Sequence, residues 1–370
     1  MLKNPVPPIS NRLHEGFCSR NKWLENYFLY RKENASDAGC FSDVNEFLSS
    51  IGKNNSMLAH RFRGALLGLA IGDALGTTLE FSMRPESESH REIIGGGPFN
   101  LNAGEWTDDT SMALCLAYSL LRSNGFSPRD QMDLYQAWRK EGFFSSNGKC
   151  FDIGNTVRRA LQSFESSDNP IAGSSDEFSA GNGALMRLAP VVLFFASNFT
   201  SAIEKAGESS KTTHGNIQSV DACRYYSGLM LGVIRGDSKE EILSAYYSPV
   251  SDIWHYFPLC AQVSAIAQGS FKRKSREQIK STGYVIDSME AALWAFYNTN
   301  TFEDGLCKAV NLGGDSDTIG AIYGQLAGAY YGEPGIPFKY IKPIKHWHYF
   351  YYFADELLNY YDGRSQLMKI

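Results

Sequence analysis

The sequence has no C-x-x-C pair and no even cysteine framework. Its seven cysteines (Cys18, Cys40, Cys115, Cys150, Cys223, Cys260 and Cys307) are scattered along 370 residues. That argues against a disulfide scaffold or a zinc site and for buried thiols in a reducing compartment. Positive charge is not in excess either: the net charge is −5 at neutral pH, so no electrostatic footprint for nucleic acid is present. The opening residues, Met1-Leu2-Lys3-Asn4-Pro5-Val6-Pro7-Pro8, lack the apolar core of a signal peptide. The apolar run after Asp317 is too short to span a bilayer and is interrupted by Gln325. A cytoplasmic protein with neither membrane nor nucleic-acid partners is expected. Strand-like alternation is scarce, and neither a solenoid repeat nor a linker beyond Ser56 is visible. With 43% hydrophobic residues, the chain can bury a large core. The expectation is an all-α protein with one domain over residues 57–370 and an N-terminal extension over residues 1–56.

In that extension Pro5, Pro7 and Pro8 favour an extended start, and Trp23, Tyr27 and Tyr30 then follow at helical spacing. Two readings are open: an extra helical layer packed on the domain, or a partner-binding arm that uses its aromatics as anchors.

What the sequence has in abundance is acid at helix starts. Asn311-Leu312-Gly313-Gly314-Asp315-Ser316-Asp317-Thr318 runs directly into an apolar helical pattern. Asp317 or Thr318 is placed to cap that helix, and the remaining oxygens converge in a way that suits a hard cation such as Mg²⁺ or Mn²⁺. Behind them Gly320, Gly324, Gly328 and Gly332 recur every fourth residue, leaving a groove that admits a closely packed helix. Thr107-Asp108-Asp109 opens another helix, through Met112, Leu116, Leu120 and Leu121. Capping and the helix dipole explain either cluster alone. Together, if the two face each other, their carboxylates repel and call for cations. Two metals roughly 3.5–4 Å apart would neutralise them.

An earlier helix carries Phe62, Ala65, Leu66, Leu69 and Ala70 on one face and ends at Gly72-Asp73-Ala74-Leu75-Gly76. Three Gly/Asn turns also precede helices: Asp152-Ile153-Gly154-Asn155, Gly181-Asn182-Gly183, and Thr213-His214-Gly215-Asn216. Free N–H groups at such starts receive phosphate, although each turn alone is equally an ordinary turn, and a lone His214 is as readily structural. Trp254–Gln268 reads as one helix, the basic run Lys272–Arg276 as a solvated face, and His346 and His348 as packing residues of a terminal aromatic helix.

Taken in order, Gly64-Ala65-Leu66-Leu67-Gly68, Gly72-Asp73-Ala74-Leu75-Gly76, Trp106-Thr107-Asp108-Asp109-Thr110, Asp152-Ile153-Gly154-Asn155, Gly181-Asn182-Gly183, Thr213-His214, Gly283-Tyr284-Val285 and Gly313-Gly314-Asp315-Ser316-Asp317-Thr318 form a pattern. It resembles the ADP-ribosylglycohydrolases, the family of dinitrogenase-reductase-activating glycohydrolase and the ADP-ribosylhydrolases, from about Arg61 to Gly332. The resemblance implies a compact orthogonal helical fold with a cleft holding two Mg²⁺ or Mn²⁺ ions. It assigns Thr107, Asp108, Asp109, Asp315, Asp317 and Thr318 to the metals and Asp152, Glu80 and Asp109 to catalysis. Gly154, Asn155, Gly181, Asn182, Gly183, His214 and Tyr284 fall to substrate binding. The implied activity is removal of ADP-ribose from modified protein side chains, arginine first. An immunity-type member, whose extension occludes an ADP-ribosyltransferase toxin with or without hydrolysis, is the alternative. A two-metal phosphatase or nuclease satisfies the carboxylates alone but not the remaining motifs.

Overall fold

The computed structural model describes residues 55–367; the aromatic arm expected around Trp23, Tyr27 and Tyr30 lies outside them. The chain runs through α1 (Met57–Gly76), α2 (Asp108–Arg122), α3 (Pro128–Glu141), α4 (Asn155–Ser167), α5 (Ala189–Phe195), α6 (Phe199–Lys211) and α7 (Ile217–Arg235). Three short helices follow, α8 (Lys239–Ile242), α9 (Ile253–Tyr256) and α10 (Ala261–Ala267). The chain then forms α11 (Val285–Tyr297), α12 (Phe302–Val310), α13 (Ser316–Tyr331), α14 (Phe338–Ile341) and α15 (His348–Leu367). Among the described residues extended pairing is limited to isolated bridges, at Gly96–Leu101, Ser174–His214 and Gly181–Tyr284, and no helix is long and apolar enough to cross a membrane. The all-α expectation holds.

Local chemistry sets the helix ends. Ser56 accepts from the Ala59 amide to start α1. Ser127 with Pro128 starts α3, which stops at a left-handed Gly142. Asn216 caps α7, which stops at Gly236. In each case a short side-chain oxygen takes an otherwise free N–H, and a glycine supplies the left-handed residue that ends the helix.

Among the described residues the antiparallel pair α1 and α13 makes the most extensive contact between any two elements. Gly64, Gly68 and Gly72 of α1 face Gly328, Gly324 and Gly320 of α13, so that the two backbones touch. A Cβ added to Gly68 would lie 2.1 Å from the Gly324 carbonyl oxygen, and one added to Gly72 would lie 2.0 Å from that of Gly320. The groove expected on α13 therefore exists, and its occupant is a second glycine stripe of the same spacing. Gly332 is not part of it: with φ +69 it ends the helix. From Phe62 onward α1 is buried on all sides, because α15, α2, α12, α5 and α7 cover what α13 leaves. The single apolar face read from its sequence was too narrow.

Two further expectations need correction. Trp254–Gln268 is not one helix but α9 and α10, broken at Phe257-Pro258, where proline biases the preceding residue away from helix and lacks the donor to continue it. The basic run is only partly solvated. Lys274 pairs with Glu290, and Arg276 donates to the Pro85 and Asn311 carbonyls at 2.8 Å each, satisfying acceptors that no helix or sheet uses. His346 stacks on Tyr349, and burial pushes His348 down to about 4, which fits the packing role.

Candidate active site

The backbone contact of α1 with α13 delivers the acidic residues. The N-terminus of α13 lies against the C-terminus of α1, where a Cβ on Gly76 would sit 2.4 Å from Asp317 Cα. One turn beyond α1, through the 3₁₀ turn Thr77–Leu79, the chain reaches Glu80. The turn before α13 needs Gly313 (φ +66) and Gly314 (φ +61). At Gly314 a Cβ would meet the Ser281 carbonyl oxygen at 2.1 Å, so conformation and space both demand glycine.

Capping differs from the sequence expectation. Asp315 occupies the N-cap of α13 without a side-chain capping bond, leaving Asp317 and Thr318 inside the first turn. At α2 the capping carboxylate comes from a distant residue. Asp73 of α1 accepts from the Thr107 amide at 2.9 Å, the Thr110 amide at 3.1 Å and the Thr110 hydroxyl at 2.6 Å. Asp108 and Asp109 are thereby released from capping and are free to serve the site.

The two clusters meet. Thr107 Oγ1 lies 3.2 Å from Asp109 Oδ2 and 3.4 Å from Asp317 Oδ2, and Thr318 Oγ1 lies 3.4 Å from Asp109 Oδ2. Glu80, Asp152 and Asp317 each bring one carboxylate oxygen within 4.8 Å of the others. Above them opens a cavity of about 410 Å³, lined by Glu80, Asp108, Asp152, Asp315 and Thr318 on its acidic side. Gly154, Asn155, Gly181, Asn182, Gly183 and His214 line another part of it. Thr107, Asp109 and Asp317 are fully buried beside this lining. Tyr284 does not reach it: its backbone pairs with Gly181 and its hydroxyl bonds to Gln218. Of the residues expected to bind substrate, Tyr284 alone does not line the cavity.

Polar donors are few where acid is plentiful. Asn182 donates to Asp315 Oδ2 at 2.6 Å, but Glu80 Oε2, Asp109 Oδ1 and Asp317 Oδ1 are buried with no hydrogen-bond partner. No lysine or arginine is among the residues lining the cavity. Burial, then the charges of Asp152, Asp315 and Asp109, push Glu80 up to about 10. Burial, then Asp73 and Asp315, push Asp152 to about 8. Asp108, Asp109 and Asp317 are likewise raised well above the usual carboxylate range, chiefly by burial. Buried acceptor oxygens without donors, held together against their repulsion, fit a divalent cation: it supplies the positive charge and takes oxygen ligands. Asp152 is itself held in the left-handed region at φ +56, a strain that persists where surroundings impose it and that clusters at functional sites.

A stability measurement follows from these shifts. Folding of the cation-free protein takes up protons at Asp152 and Glu80, because their folded values lie above those of the unfolded chain. Their contribution to stability is complete below about pH 4 and is lost as pH rises through about 8 and 10. The melting temperature of EDTA-treated protein should therefore fall between pH 5 and 8, and millimolar Mg²⁺ should restore it at pH 8. A cation-free melting temperature that climbs over that range removes this account of the cluster.

Sequence reasoning passed over the residues that hold the walls. Arg187 is fully buried, donates to the Gly183 carbonyl and to Thr213 Oγ1 at 2.6 Å each, and lies over the Tyr135 ring. It ties the Gly181–Gly183 turn to His214, whose Nδ1 is 2.8 Å from Thr213 Oγ1. Burial and the Arg187 charge hold His214 down at about 3, so it is a neutral imidazole. An arginine inside Leu185-Met186-Arg187-Leu188, and an aspartate inside the apolar α1, were the available signals.

The chain is similar to known proteins over most of its length. Residues 54–366 match the ADP-ribosylglycohydrolase family. The chain is 40% identical over 299 residues to ADP-ribosylarginine hydrolase Tri1 of Pseudomonas putida strain GB-1, covering 81% of this chain and 78% of the relative. It is 32% identical over 292 residues to ADP-ribosyl-[dinitrogen reductase] glycohydrolase of Rhodospirillum rubrum, covering 77% and 90%. A solved ADP-ribosylglycohydrolase-related protein complex superposes with a TM-score of 0.71 at 39% identity, over 82% of this chain and 99% of that one. The chain belongs to the ADP-ribosylglycohydrolase family.

Proposed function

We propose that this protein hydrolyses the bond between ADP-ribose and a protein arginine, with two divalent cations, Mg²⁺ or Mn²⁺, held by Thr107, Asp108, Asp109, Asp315, Asp317 and Thr318. The observation that carries this reading is the convergence of Glu80, Asp152 and Asp317 within 4.8 Å beside partnerless buried oxygens, next to a cavity of ligand size. The arginine relatives support the choice of linkage. When bound, the cations would supply Lewis-acid polarisation and charge neutralisation.

The chain's own residues do the rest. At α4, Gly154 is an N-cap without a side-chain capping bond, so first-turn N–H groups remain for diphosphate oxygens. The Gly181–Gly183 turn and the uncharged His214 form the adjoining wall and add no carboxylate to repel them. In the reaction, water oxygen bonds to the ribose C1′ as the C1′–N bond to guanidine breaks and the guanidine takes up a proton. With bound cations offsetting the repulsion that otherwise keeps both groups protonated, Asp152 or Glu80 would receive the proton released by water and the other carboxylate would face the positive charge that develops on the ring, the division of labour of paired carboxylates in glycoside hydrolysis. The five cysteines among the described residues are unpaired, which supports a reducing, cytoplasmic setting.

A panel of proteins ADP-ribosylated at arginine, serine or cysteine tests the reading. Release of ADP-ribose is expected from the arginine-linked substrate, dependent on Mg²⁺ or Mn²⁺. Release from the others alone, or undiminished release in EDTA, contradicts it.

A further inference from the structure

We infer that Phe81 and Met83 form a fixed apolar lip at the reacting end of the cavity that docks an apolar residue flanking the modified arginine of the target protein. The inference rests on the proposed hydrolase reading and adds to it how the polypeptide, as distinct from the ADP-ribose, is recognised.

Glu80 is buried, yet Phe81 beside it lines the cavity while 69% exposed, and Met83 is 92% exposed. Apolar side chains this large and open are ordinary when scattered; Phe81 at a cavity that must admit a side chain still attached to its protein, with Met83 two positions further along the chain, marks a contact surface. The backbone beneath them is pinned. The Phe81 amide donates to the Gly314 carbonyl at 2.6 Å, and the Gly314 amide donates back to the Ser82 carbonyl at 2.9 Å. The Arg84 guanidinium is directed to the carbonyls of Leu312, Arg276 and Ile279. Phe81 is held at φ +57, a region that an aromatic residue rarely adopts. A lip fixed in this way needs little ordering when it is covered, so the apolar area it buries goes into affinity.

Position decides between the two ends of the substrate. The lip continues directly from Glu80, one of the converging carboxylates, on the segment pinned to Gly314, whereas the proposed diphosphate site is the N-terminus of α4 with Gly181, Gly183 and His214 as its adjoining wall. The group leaving the carboxylates is the arginine of the target, so its neighbours in sequence are what pass over Phe81 and Met83. Glu86, exposed three residues further on, disfavours an acidic neighbour. The partner is thus an arginine-modified polypeptide with an apolar residue, and not an acidic one, beside the arginine.

The test compares full-length wild type, M83S and the control F338S on two substrates: free ADP-ribosylarginine and a peptide ADP-ribosylated at an arginine flanked by leucine. Phe338 is 71% exposed but lies beyond the far end of α13, a helix about 24 Å long. M83S should lower kcat/KM for the peptide about tenfold, through KM, and leave ADP-ribosylarginine unchanged; F338S should change neither. In wild type, replacing the flanking leucine by aspartate should produce a similar loss, and M83S should erase that preference. Unchanged peptide kinetics in M83S, or an equal loss on both substrates, overturns the lip. Wild type inert on both substrates overturns the hydrolase reading itself and the lip with it.

Discussion

Asp317→Asn should reduce release of ADP-ribose from an arginine-modified protein by roughly a thousandfold, while making the cation-free protein more stable. Asp317 is 1% exposed. One carboxylate oxygen is 3.4 Å from the Thr107 hydroxyl and the other has no partner. Asparagine keeps the volume and shape but replaces an acceptor oxygen by a donor and removes a charge. Under the proposed assignment, the cation site at the N-termini of α2 and α13 then loses one of its ligands. The several kcal/mol that metal electrostatics contributes to such a transition state corresponds to about three powers of ten in rate. The stability change has the opposite sign, because Asp317 is held above the normal carboxylate range by burial and by the charges of Glu80 and Asp109. Removing one member of a repelling set relieves the rest. Kinetics with saturating Mg²⁺, together with thermal denaturation in EDTA, read both effects. Near-wild-type turnover in Asp317→Asn would remove this residue from the metal assignment. Lost activity accompanied by lost stability would show a folding defect in place of a ligand defect.

Gly324→Ala should destabilise the domain by about 3 kcal/mol or more, and Gly324→Val should abolish soluble folding. The added methyl would lie 1.9 Å from the Gly68 carbonyl oxygen and 2.4 Å from its carbon. Side-chain overpacking of about 1–3 kcal/mol is relieved by rotamer changes. Here the obstacle is a peptide group in the middle of a helix, and the only relief is to part α1 from α13. The helix propensity of alanine, worth about 1 kcal/mol over glycine, works in favour of the substitution and is too small to decide the outcome. Gly363→Ala supplies the contrast: it adds a methyl that meets nothing within 4 Å in α15 and should be neutral or slightly stabilising. Urea midpoints of the two alanine variants compare them directly. An unchanged midpoint in Gly324→Ala would mean that the helix pair is not the tight contact described.

Much of the molecule was legible because its signals are local. Acid clusters before apolar runs, glycines at four-residue spacing and Gly/Asn turns ahead of helices are patterns within ten residues of one another, and they led to Asp108, Asp315 and the Gly181–Gly183 turn. The parts that were not legible depend on contacts between distant segments. Nothing near Thr107 says that its amide is capped by Asp73, 34 positions earlier. Gly332 continues the glycine spacing, but whether it packs or ends the helix depends on where the partner helix stops. The break at Pro258 was present in the sequence and was overridden by an apolar pattern continuing on both sides. Arg187 was hidden in plain view: a charged side chain in an apolar run is informative only once the Gly183 carbonyl and Thr213 hydroxyl that receive it are in place.

The contact between α1 and α13 also bears on how freely this protein can change. Glu80 and Asp317 are spaced by peptide groups resting on peptide groups, not by the side chains of a core. Leucines, valines and aromatics elsewhere in the interior can be exchanged, by drift or by design, without altering the ruler that sets the acidic residues apart. The walls of the cavity can then be remodelled for new targets on a chassis whose reactive centre stays in register, provided that the six facing glycines remain.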